Sequence, residues 1–418
     1  MFGGKKPEVL VAGAGPVGQL AALALAKHGV RVEIVDTGIW ACSHSYALAL
    51  HPESLSLLDH FGLRDAALRK AYPVHTMGLY DESGRRARIA LSAEDNPRDC
   101  MAVLRQDAIE TLFEKALEDA GVKIGWRREL VDLATGADHV QAKVNRLERD
   151  SRGYVVARTE WVVGATEKFE VPFVVGADGY ESETRRSLGV EFDETGEAEY
   201  FAIFEFQTDA DLGSEMRVCF VGDTVNVLWP LPGGGCRWSF QLPESASREP
   251  RRDKDRLLLS GGLEHSKLVD DAHLKQFLEE RAPWFSGSVG HIAWRMVARF
   301  ERRLAKSFGQ HRIWLAGDAA HTTGPVGVQS MNAGLFEAWD LARMIKRSLH
   351  EGAPLCDIAS ASARWQAEWQ RLHGIGGGLK AGPQTDPWVA EHAAALLSCF
   401  PAHGKRLDEI AAQVNLSF

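Results

Sequence analysis

A glycine-rich turn near the start of the chain limits its fold more than any other segment. The turn Gly13-Ala-Gly-Pro-Val-Gly18 matches the pattern G-x-G-x-x-G and follows the apolar residues 8–13. Alanine and leucine recur at helical spacing over residues 16–28, and a glycine stands where that helix would end. Residues 30–36 have the pattern of a second strand, which ends on Asp36. The spacing predicts a strand, a tight turn, a helix and a second strand, which together form the smallest unit of a parallel sheet.

The residue types in this unit suit a bound dinucleotide. Gly13 permits the tight turn, Gly15 lets the backbone approach a pyrophosphate, and Gly18 allows the helix to pack closely. The helix start supplies free N–H groups and partial positive charge for the phosphates, and Asp36 can accept a hydrogen bond from a ribose hydroxyl. The turn does not distinguish FAD from NAD. A glycine-rich turn without any ligand is the alternative interpretation.

The rest of the chain alternates between two kinds of pattern. Apolar runs separated by turn residues predict an antiparallel sheet with strands at residues 200–206, 216–221, 224–231 and 237–242. Helical and buried-strand patterns predict further parts of the parallel-sheet domain at residues 107–120, 169–176, 312–317 and 328–349. The parallel-sheet segments are therefore scattered along the chain, with the antiparallel sheet inserted between them.

Composition and charge exclude several classes of protein. The chain has 418 residues, which predicts two or three domains, and 45% of them are hydrophobic, as in a folded globular protein. Its net charge is −9 without a basic stripe, so we expect no nucleic-acid partner. The six cysteines stand far apart, without C-x-x-C pairs, which argues against a metal site. We find no signal peptide and no apolar run of membrane-spanning length, and therefore expect a cytoplasmic protein that does not bind a membrane.

Two later segments complete a known combination of motifs. Residues 173–186 contain Gly176-Ala-Asp-Gly179, and residues 312–332 contain Gly317-Asp318 and a Gly-Pro-Val-Gly turn. With the glycine turn, Arg105-Gln106 before a helix and residues 50–58, this combination closely resembles the class A flavoprotein monooxygenases of the para-hydroxybenzoate-hydroxylase type. The resemblance covers residues 7 to about 345.

The resemblance implies an α/β fold with two interleaved domains. A Rossmann-like FAD-binding domain is expected to comprise residues 7–75, 100–190 and 295–350. An inserted antiparallel-sheet domain for the substrate is expected at residues 76–99 and 191–294, and a C-terminal helical segment at residues 351–418. The last segment is long enough for helices that cap the sheet or form a partner surface.

The resemblance also assigns residues to the cofactor. Asp318 would accept a hydrogen bond from a ribityl hydroxyl of FAD, and Arg105 would lie at the FAD phosphates or the ribityl chain. Pro325 would lie beside the isoalloxazine ring, and the helix start after it would stabilise negative charge on that ring. No metal is expected. The expected cofactor-binding residues are Gly13, Gly15, Pro16, Val17, Gly18, Asp36, Arg105, Asp178, Gly317, Asp318, Pro325, Gly327, Met331 and Asn332.

The activity implied by the resemblance is aromatic hydroxylation by a single-component monooxygenase. NADPH or NADH would dock transiently, partly through Asp178 and Arg185, and would reduce FAD. O₂ would then form a C4a-hydroperoxide of the flavin, and one oxygen atom would pass to an electron-rich ring carbon. No catalytic side chain is assigned, because the cofactor itself performs this chemistry. We expect a monomer or a homodimer that acts on a small aromatic substrate.

The substrate is expected to lie against the antiparallel sheet. By alternation, Thr224–Leu231 presents Trp229 and Leu231 on one face, and these two residues with Pro325 are the expected lining of the substrate site. No cation stands at either strand position, so we expect a phenolic or heteroaromatic ring without a small carboxylate. Core packing is the alternative role for Trp229. Arg237 is expected to be a solvated strand residue.

Some residues depart from the family pattern, and other functions stay open. Tyr46 stands where many relatives have arginine, and Glu337 replaces the usual aspartate, which bears on the NADPH contacts and on flavin mobility. His321 is expected to be structural, and Asp178 with Arg185 could instead form an ordinary surface ion pair. The alternative functions are a prenyl-chain reductase, a halogenase, a flavin-binding protein without net hydroxylation, and a Rossmann-like interaction module. The W-x-W-x-I-P segment of halogenases is absent.

Overall fold

The structure, a computed structural model of the chain, describes residues 6–39, 48–92, 99–152, 158–243 and 269–418, so Tyr46 lies outside the described residues. The strands in chain order are β1 (Val9–Ala12), β2 (Val32–Asp36), β3 (Ala49–Leu50), β4 (Tyr72–Val74), β5 (Thr76–Asp81), β6 (Gly84–Ala90), β7 (Met101–Val103), β8 (Ile124–Trp126), β9 (Arg128–Thr135), β10 (Val140–Arg152), β11 (Arg158–Val171), β12 (Phe173–Gly176), β13 (Phe192–Glu194), β14 (Glu199–Gln207), β15 (Glu215–Val221), β16 (Thr224–Leu231), β17 (Gly235–Leu242), β18 (Ile292–Phe300), β19 (Arg303–Ala305), β20 (Gly309–Gln310), β21 (Ile313–Leu315), β22 (His321–Thr322), β23 (Lys380–Ala381) and β24 (Leu416–Ser417). The helices are α1 (Pro16–Lys27), α2 (Pro52–Asp59), α3 (Arg64–Leu68), α4 (Gln106–Asp119), α5 (Glu183–Ser187), α6 (Asp271–Arg281), α7 (Gln329–Glu351), α8 (Leu355–Leu372), α9 (Pro387–Glu391), α10 (Ala393–Cys399) and α11 (Gly404–Ala412). None of these helices combines the length and the apolarity needed to cross a bilayer.

The first sheet brings the three sequence motifs together. It contains six of the described strands in the order β20-β21-β12-β1-β2-β8, and all neighbours except β20 and β21 run parallel. All four residues of β1 are buried, because elements on both faces cover a parallel sheet. The three motif segments follow β1, β12 and β21, which are neighbours in the sheet. Their carboxyl ends therefore place the three segments at one edge.

The second sheet contains seven of the described strands in the order β18-β14-β17-β16-β15-β5-β6, and β15 and β5 are its only parallel neighbours. Its outer face packs against α6 through Phe204, Trp238 and Phe240. Its inner face contributes Ile203 and Trp229 to a core cluster that also contains residues from the loop before α7 and from the C-terminal helices. β18 crosses the domain boundary expected at residue 295, and the domain boundaries stay predictions.

The C-terminal segment caps both sheets. The main-chain N–H of Gly327 donates to the carbonyl oxygen of Ser398 at 3.1 Å, so this segment contacts the loop before α7. The side chain of Gln413 bonds to the main-chain nitrogen and oxygen of Ala90 at 2.8 and 2.9 Å, and thereby extends the edge strand β6. Capping is therefore the role that the structure shows for these helices.

Candidate functional site

The glycine turn between β1 and α1 is shaped by close contacts. Gly13 has a φ of +98°, and a Cβ there would lie 2.1 Å from the carbonyl oxygen of Ala177. A Cβ on Gly18 would lie 2.0 Å from the carbonyl oxygen of Gly13. Gly15 differs, because a Cβ there would meet no atom within 4 Å. Gly13 and Gly18 are therefore required by packing, whereas Gly15 borders open space at the start of α1.

Asp36 closes β2 beside this turn. Its Oδ2 accepts a hydrogen bond from the main-chain N–H of Ala14 at 2.6 Å, and its Oδ1 accepts one from the N–H of Gly38 at 2.6 Å. Each carboxylate oxygen has further lone-pair capacity, so Asp36 can still accept from a ligand hydroxyl. The carboxylate thus orients the glycine turn and remains half-exposed at its rim.

Asp178 and Arg185 organise the second motif, after β12. Asp178 accepts hydrogen bonds from the hydroxyl of Ser182 at 2.5 Å and from the main-chain N–H of Thr184 at 2.9 Å. Arg185 is buried and donates to the carbonyl oxygens of Tyr180 and Ala319 at 2.7 and 2.8 Å. The two side chains do not pair with each other, so the interpretation as an ordinary surface ion pair is wrong. Arg185 instead ties the second motif to the third.

The third motif begins at a short 3-10 turn, Gly317–Ala319, after β21. Asp318 is accessible to solvent, yet protein surrounds it closely enough that desolvation raises the pKa of its carboxyl. The hydroxyl of Ser330 donates to its Oδ1 at 2.7 Å and opposes that shift. Asp318 is therefore positioned to meet a ligand between β21 and the start of α7.

The loop before α7 is held by one buried amide. Val328 adopts a left-handed backbone with a φ of +49°, which is costly for a β-branched residue. Nδ2 of Asn332 donates to the carbonyl oxygens of Val328 and Ala49 at 2.8 and 2.9 Å. Oδ1 of Asn332 accepts from the main-chain N–H of His51 at 2.8 Å. The side chain of Asn332, expected at the cofactor, is therefore engaged within the protein, and a ligand can meet only its backbone.

His51, directly before α2, contacts this loop, and the sequence did not reveal that contact. Its Nε2 lies 3.0 Å from the carbonyl oxygen of Gly327, and the side chain is fully buried. Burial, together with the nearby His403, lowers the pKa of His51 to about 3, so the ring is neutral. A carbonyl oxygen only accepts, so Nε2 carries the proton. No sequence signal marks a histidine before Pro52 as a partner of a loop that lies far along the chain.

The carboxylate of Glu337 forms three hydrogen bonds that support the third motif. It accepts from the main-chain N–H of Gly317 at 3.1 Å, lies 2.8 Å from Nε2 of His321, and also accepts from the indole of Trp369. The rings of His321 and Trp369 stack with centroids 3.6 Å apart. His321 is thus buried in the support of the motif rather than exposed in the cleft. Within the described residues, no three His, Cys, Asp or Glu side chains are grouped so that they could hold a metal ion.

Arg237 is buried, so the expectation of a solvated strand residue is wrong. The register of β14 and β17 places it opposite Glu205, and its Nε donates to Oε1 of Glu205 at 2.8 Å. Arg105, at the start of α4, binds the other oxygen of the same carboxylate. Alternation along a strand could not reveal this, because both partners of Glu205 come from distant parts of the chain.

The expected substrate-lining residues lie on the inner face of the second sheet. Trp229 and Leu231 are 2% and 6% exposed and belong to the core cluster between this face and the loop before α7. Pro325 is half-buried in that loop. Trp229 and Leu231 share one face, as alternation requires. Their contact with a substrate stays a prediction.

Comparison with known proteins agrees on one family. The model of the family described as "FAD binding domain" matches residues 6–368. The chain is 29% identical over 340 residues to 6-methylpretetramide 4-monooxygenase of Streptomyces rimosus, covering 80% of this chain and 55% of the relative. It is 26% identical over 359 residues to para-nitrophenol 4-monooxygenase of Pseudomonas sp. strain WBC-3, covering 82% and 79%. The chain spans about half the length of several curated relatives that it matches.

Solved structures share the fold. The crystal structure of p-nitrophenol 4-monooxygenase PnpA from Pseudomonas putida DLL-E4 superposes with a TM-score of 0.70 at 21% identity, covering 98% of this chain and 92% of that chain. A ternary complex of aklavinone-11 hydroxylase with FAD and aklavinone superposes with a TM-score of 0.65 at 19% identity, covering 99% and 70%. At these identities the likeness establishes the architecture, and it confirms the predicted α/β fold.

Proposed function

Because the chain belongs to the family of FAD-binding domains, we propose that it is an FAD-dependent monooxygenase that hydroxylates a small aromatic molecule. The proposed electron donor is NADPH or NADH, and the proposed co-substrate is O₂. The meeting of three motif segments at one edge of the parallel sheet carries the proposal, since the resemblance assigns all three to FAD. Relatives that are named as aromatic monooxygenases support it.

The residues at this edge fit FAD. Gly15 leaves space beside the start of α1, where a pyrophosphate meets free N–H groups and the positive end of the helix dipole. Asp36 and Asp318 stand at two places in the cleft and can accept from ribose and ribityl hydroxyls. The first turn of α7 adds further free N–H groups beyond Asp318. We propose that FAD is held by Gly13, Gly15, Pro16, Val17, Gly18, Asp36, Arg105, Asp178, Gly317, Asp318, Pro325, Gly327, Met331 and Asn332.

Bound FAD would supply the activation of O₂ and the transfer of one oxygen atom. The protein would bind, orient and shield the reactants. The start of α7 would stabilise negative charge at the ring edge that it faces, and His51 and Asn332 keep that helix start in place. The C-terminal helices cover the loop at Gly327 and help to exclude water.

The proposed substrate is a phenolic or heteroaromatic ring held between Pro325 and the inner face of the second sheet, near Trp229 and Leu231. Glu205 and Arg237 on that face compensate each other's charge. The burial of Arg237 does not change the substrate proposal, because its guanidinium group is already paired with Glu205. We further propose a cytoplasmic monomer or homodimer without a nucleic-acid partner, in keeping with a net charge of −9.

Three measurements test the proposed function. Purified protein should show the visible absorption bands of FAD. A panel of phenols and heteroaromatic compounds should contain at least one that accelerates NADPH or NADH oxidation and gains one oxygen atom by mass. FAD binding without oxygen gain from any compound would favour a flavin protein that does not hydroxylate, and gain of a halogen would favour the halogenase alternative. Purified protein that binds no flavin would contradict the proposed function.

A further inference from the structure

Glu205 links the antiparallel sheet to the start of α4 through two arginines. It lies on the inner face of β14, where its side chain is only 3% exposed. One carboxylate oxygen binds Arg237 of the neighbouring strand β17, and the other binds Arg105 at the start of α4. Arg237 is about as buried as Glu205, whereas the side chain of Arg105 is 49% exposed. Glu205 therefore links the buried guanidinium group of Arg237 to that of Arg105, which solvent and ligands can reach.

The position of Arg105 connects it to the cofactor segments. It follows β7, and β7 pairs with β3 through Val103 and Ala49. β3 leads directly into His51, which bonds to Gly327 before α7. The helix starts of α4 and α7 are thus joined by a short strand pair. Arg105 follows this strand pair and is at the same time held by the carboxylate of Glu205 on the antiparallel sheet.

We propose that Glu205 is a positioning residue for FAD: it holds Arg105 in the orientation that meets the phosphates of the cofactor, so that the affinity for FAD depends on a residue of the antiparallel sheet. Arg237 pairs with Glu205 where both side chains are buried, so Arg237 has a partner of opposite charge. The inference rests on FAD binding by the family and not on the proposed hydroxylation.

Glu205 affects FAD binding in two opposite directions. An arginine that is fixed before binding loses less side-chain entropy when it meets a ligand, which strengthens binding. The negative charge of Glu205 also reduces the positive potential around Arg105, which weakens the attraction of phosphates. Removal of Glu205 therefore weakens FAD binding if positioning dominates, and strengthens it if charge compensation dominates. The sign of the change separates the two roles.

FAD titrations followed by flavin fluorescence test the proposal without any turnover. Glu205→Gln combined with Arg237→Met avoids leaving a buried arginine unpaired, and Arg237→Met alone keeps the bond between Glu205 and Arg105. We expect the double variant to bind FAD about 3- to 10-fold more weakly than R237M, from which it differs only at Glu205, and R237M to stay within about twofold of wild type. Riboflavin, which has no phosphate, should bind both variants as it binds wild type. Asp271→Asn removes an exposed ion pair with Arg295 on the same sheet and serves as the matched control.

Unchanged or tighter FAD binding by the double variant overturns the proposal. An equal loss in R237M overturns it as well, because Arg237 would then act by itself. A parallel loss of riboflavin affinity also overturns it, because the effect of Glu205 would then not depend on the phosphates. Glu205→Asp provides a second variant should the double variant not fold. It keeps the charge and shortens the reach toward Arg105, so positioning predicts the same weakening, whereas charge compensation predicts no change.

Discussion

The Nε2 atom of His51 donates to the carbonyl oxygen of Gly327 at 3.0 Å, across 276 positions of sequence. The main-chain N–H of the same histidine donates to Asn332 at 2.8 Å. One residue at the start of α2 therefore anchors both the loop before α7 and the first turn of that helix. The helix start that we assign to the flavin is thus set by a distant, neutral histidine.

Acid should destabilise the protein in part through His51. Its pKa is about 3 in the folded protein against an ordinary value of 6.5, so between these values the unfolded chain binds more protons than the folded chain. Stability is therefore full above pH 6.5 and falls as the pH drops, by about 2 kcal/mol at pH 5. His373, whose pKa burial also lowers to about 3, adds a similar loss.

Urea unfolding at pH 7.5 and pH 5 measures this contribution. His51→Gln should lose about 2 kcal/mol less than wild type between the two pH values, because one buried histidine is gone. Replacement of the exposed His291 by Gln is the control and should leave the pH dependence as in wild type. Equal losses in H51Q and wild type would show that His51 does not titrate as the structure requires.

Alanine at two glycines of the first turn should separate folding from cofactor binding. Gly13→Ala places a Cβ against a carbonyl at a positive φ, so we expect a loss of more than about 2 kcal/mol of unfolding free energy. Gly15 has an ordinary φ of −69° and open space around its Cβ, so G15A should change stability by less than about 1 kcal/mol. G15A should nevertheless weaken FAD binding roughly tenfold or more. Thermal unfolding and FAD titration check both, and undiminished FAD affinity in G15A would place the pyrophosphate elsewhere.

Glu337 should matter for stability through its three donors. Glu337→Gln replaces one acceptor oxygen by an N–H donor, which leaves at least one buried donor of Gly317, His321 or Trp369 without a partner. We expect a loss of about 1–3 kcal/mol in urea unfolding. The matched control is Glu409→Gln, which removes exposed ion pairs with the side chains of Arg406 and Lys405 and should be nearly neutral. A neutral E337Q would mean that the network is dispensable.

Trp229→Phe should decide between substrate contact and core packing. As a lining residue, Trp229 affects the KM of an aromatic substrate, and the smaller ring should raise KM several-fold while the Kd for FAD stays unchanged. If Trp229 only packs in the core, the substitution lowers the unfolding midpoint and leaves KM unchanged. The exposed Trp161 on β11 gives the control Trp161→Phe. Steady-state kinetics with an identified substrate distinguishes the two outcomes.

The sequence predicted the secondary elements and the fold class well, because both depend on local patterns. α7 was expected at residues 328–349 and runs from Gln329 to Glu351. β16 was expected at residues 224–231 and has those bounds. The resemblance to FAD-dependent monooxygenases is confirmed by the family match over residues 6–368. Motifs with required glycines and regular periodicities carry their structure within a few neighbouring residues.

Long-range side-chain partners were not predictable in the same way. Arg237 looked solvated because strand alternation shows which face a residue shares but not what stands on the next strand. His51 gave no signal, because its partner Gly327 is 276 positions away. The hydrogen bonds from the side chain of Asn332 to Ala49 and Val328 were not predicted either, and the contact of Asn332 with the cofactor stays a prediction.

The sequence by itself determined the glycine turn, the helix after it and the acidic strand end, since steric limits on φ and hydrophobic periodicity act locally. Only the tertiary structure decided that Glu205 lies between Arg105 and Arg237. These three residues come from separate segments, and the carboxylate meets both guanidinium groups only where the register of β14 and β17 and the position of α4 bring them together. A buried charge needs a partner, and burial is a property of the folded chain alone.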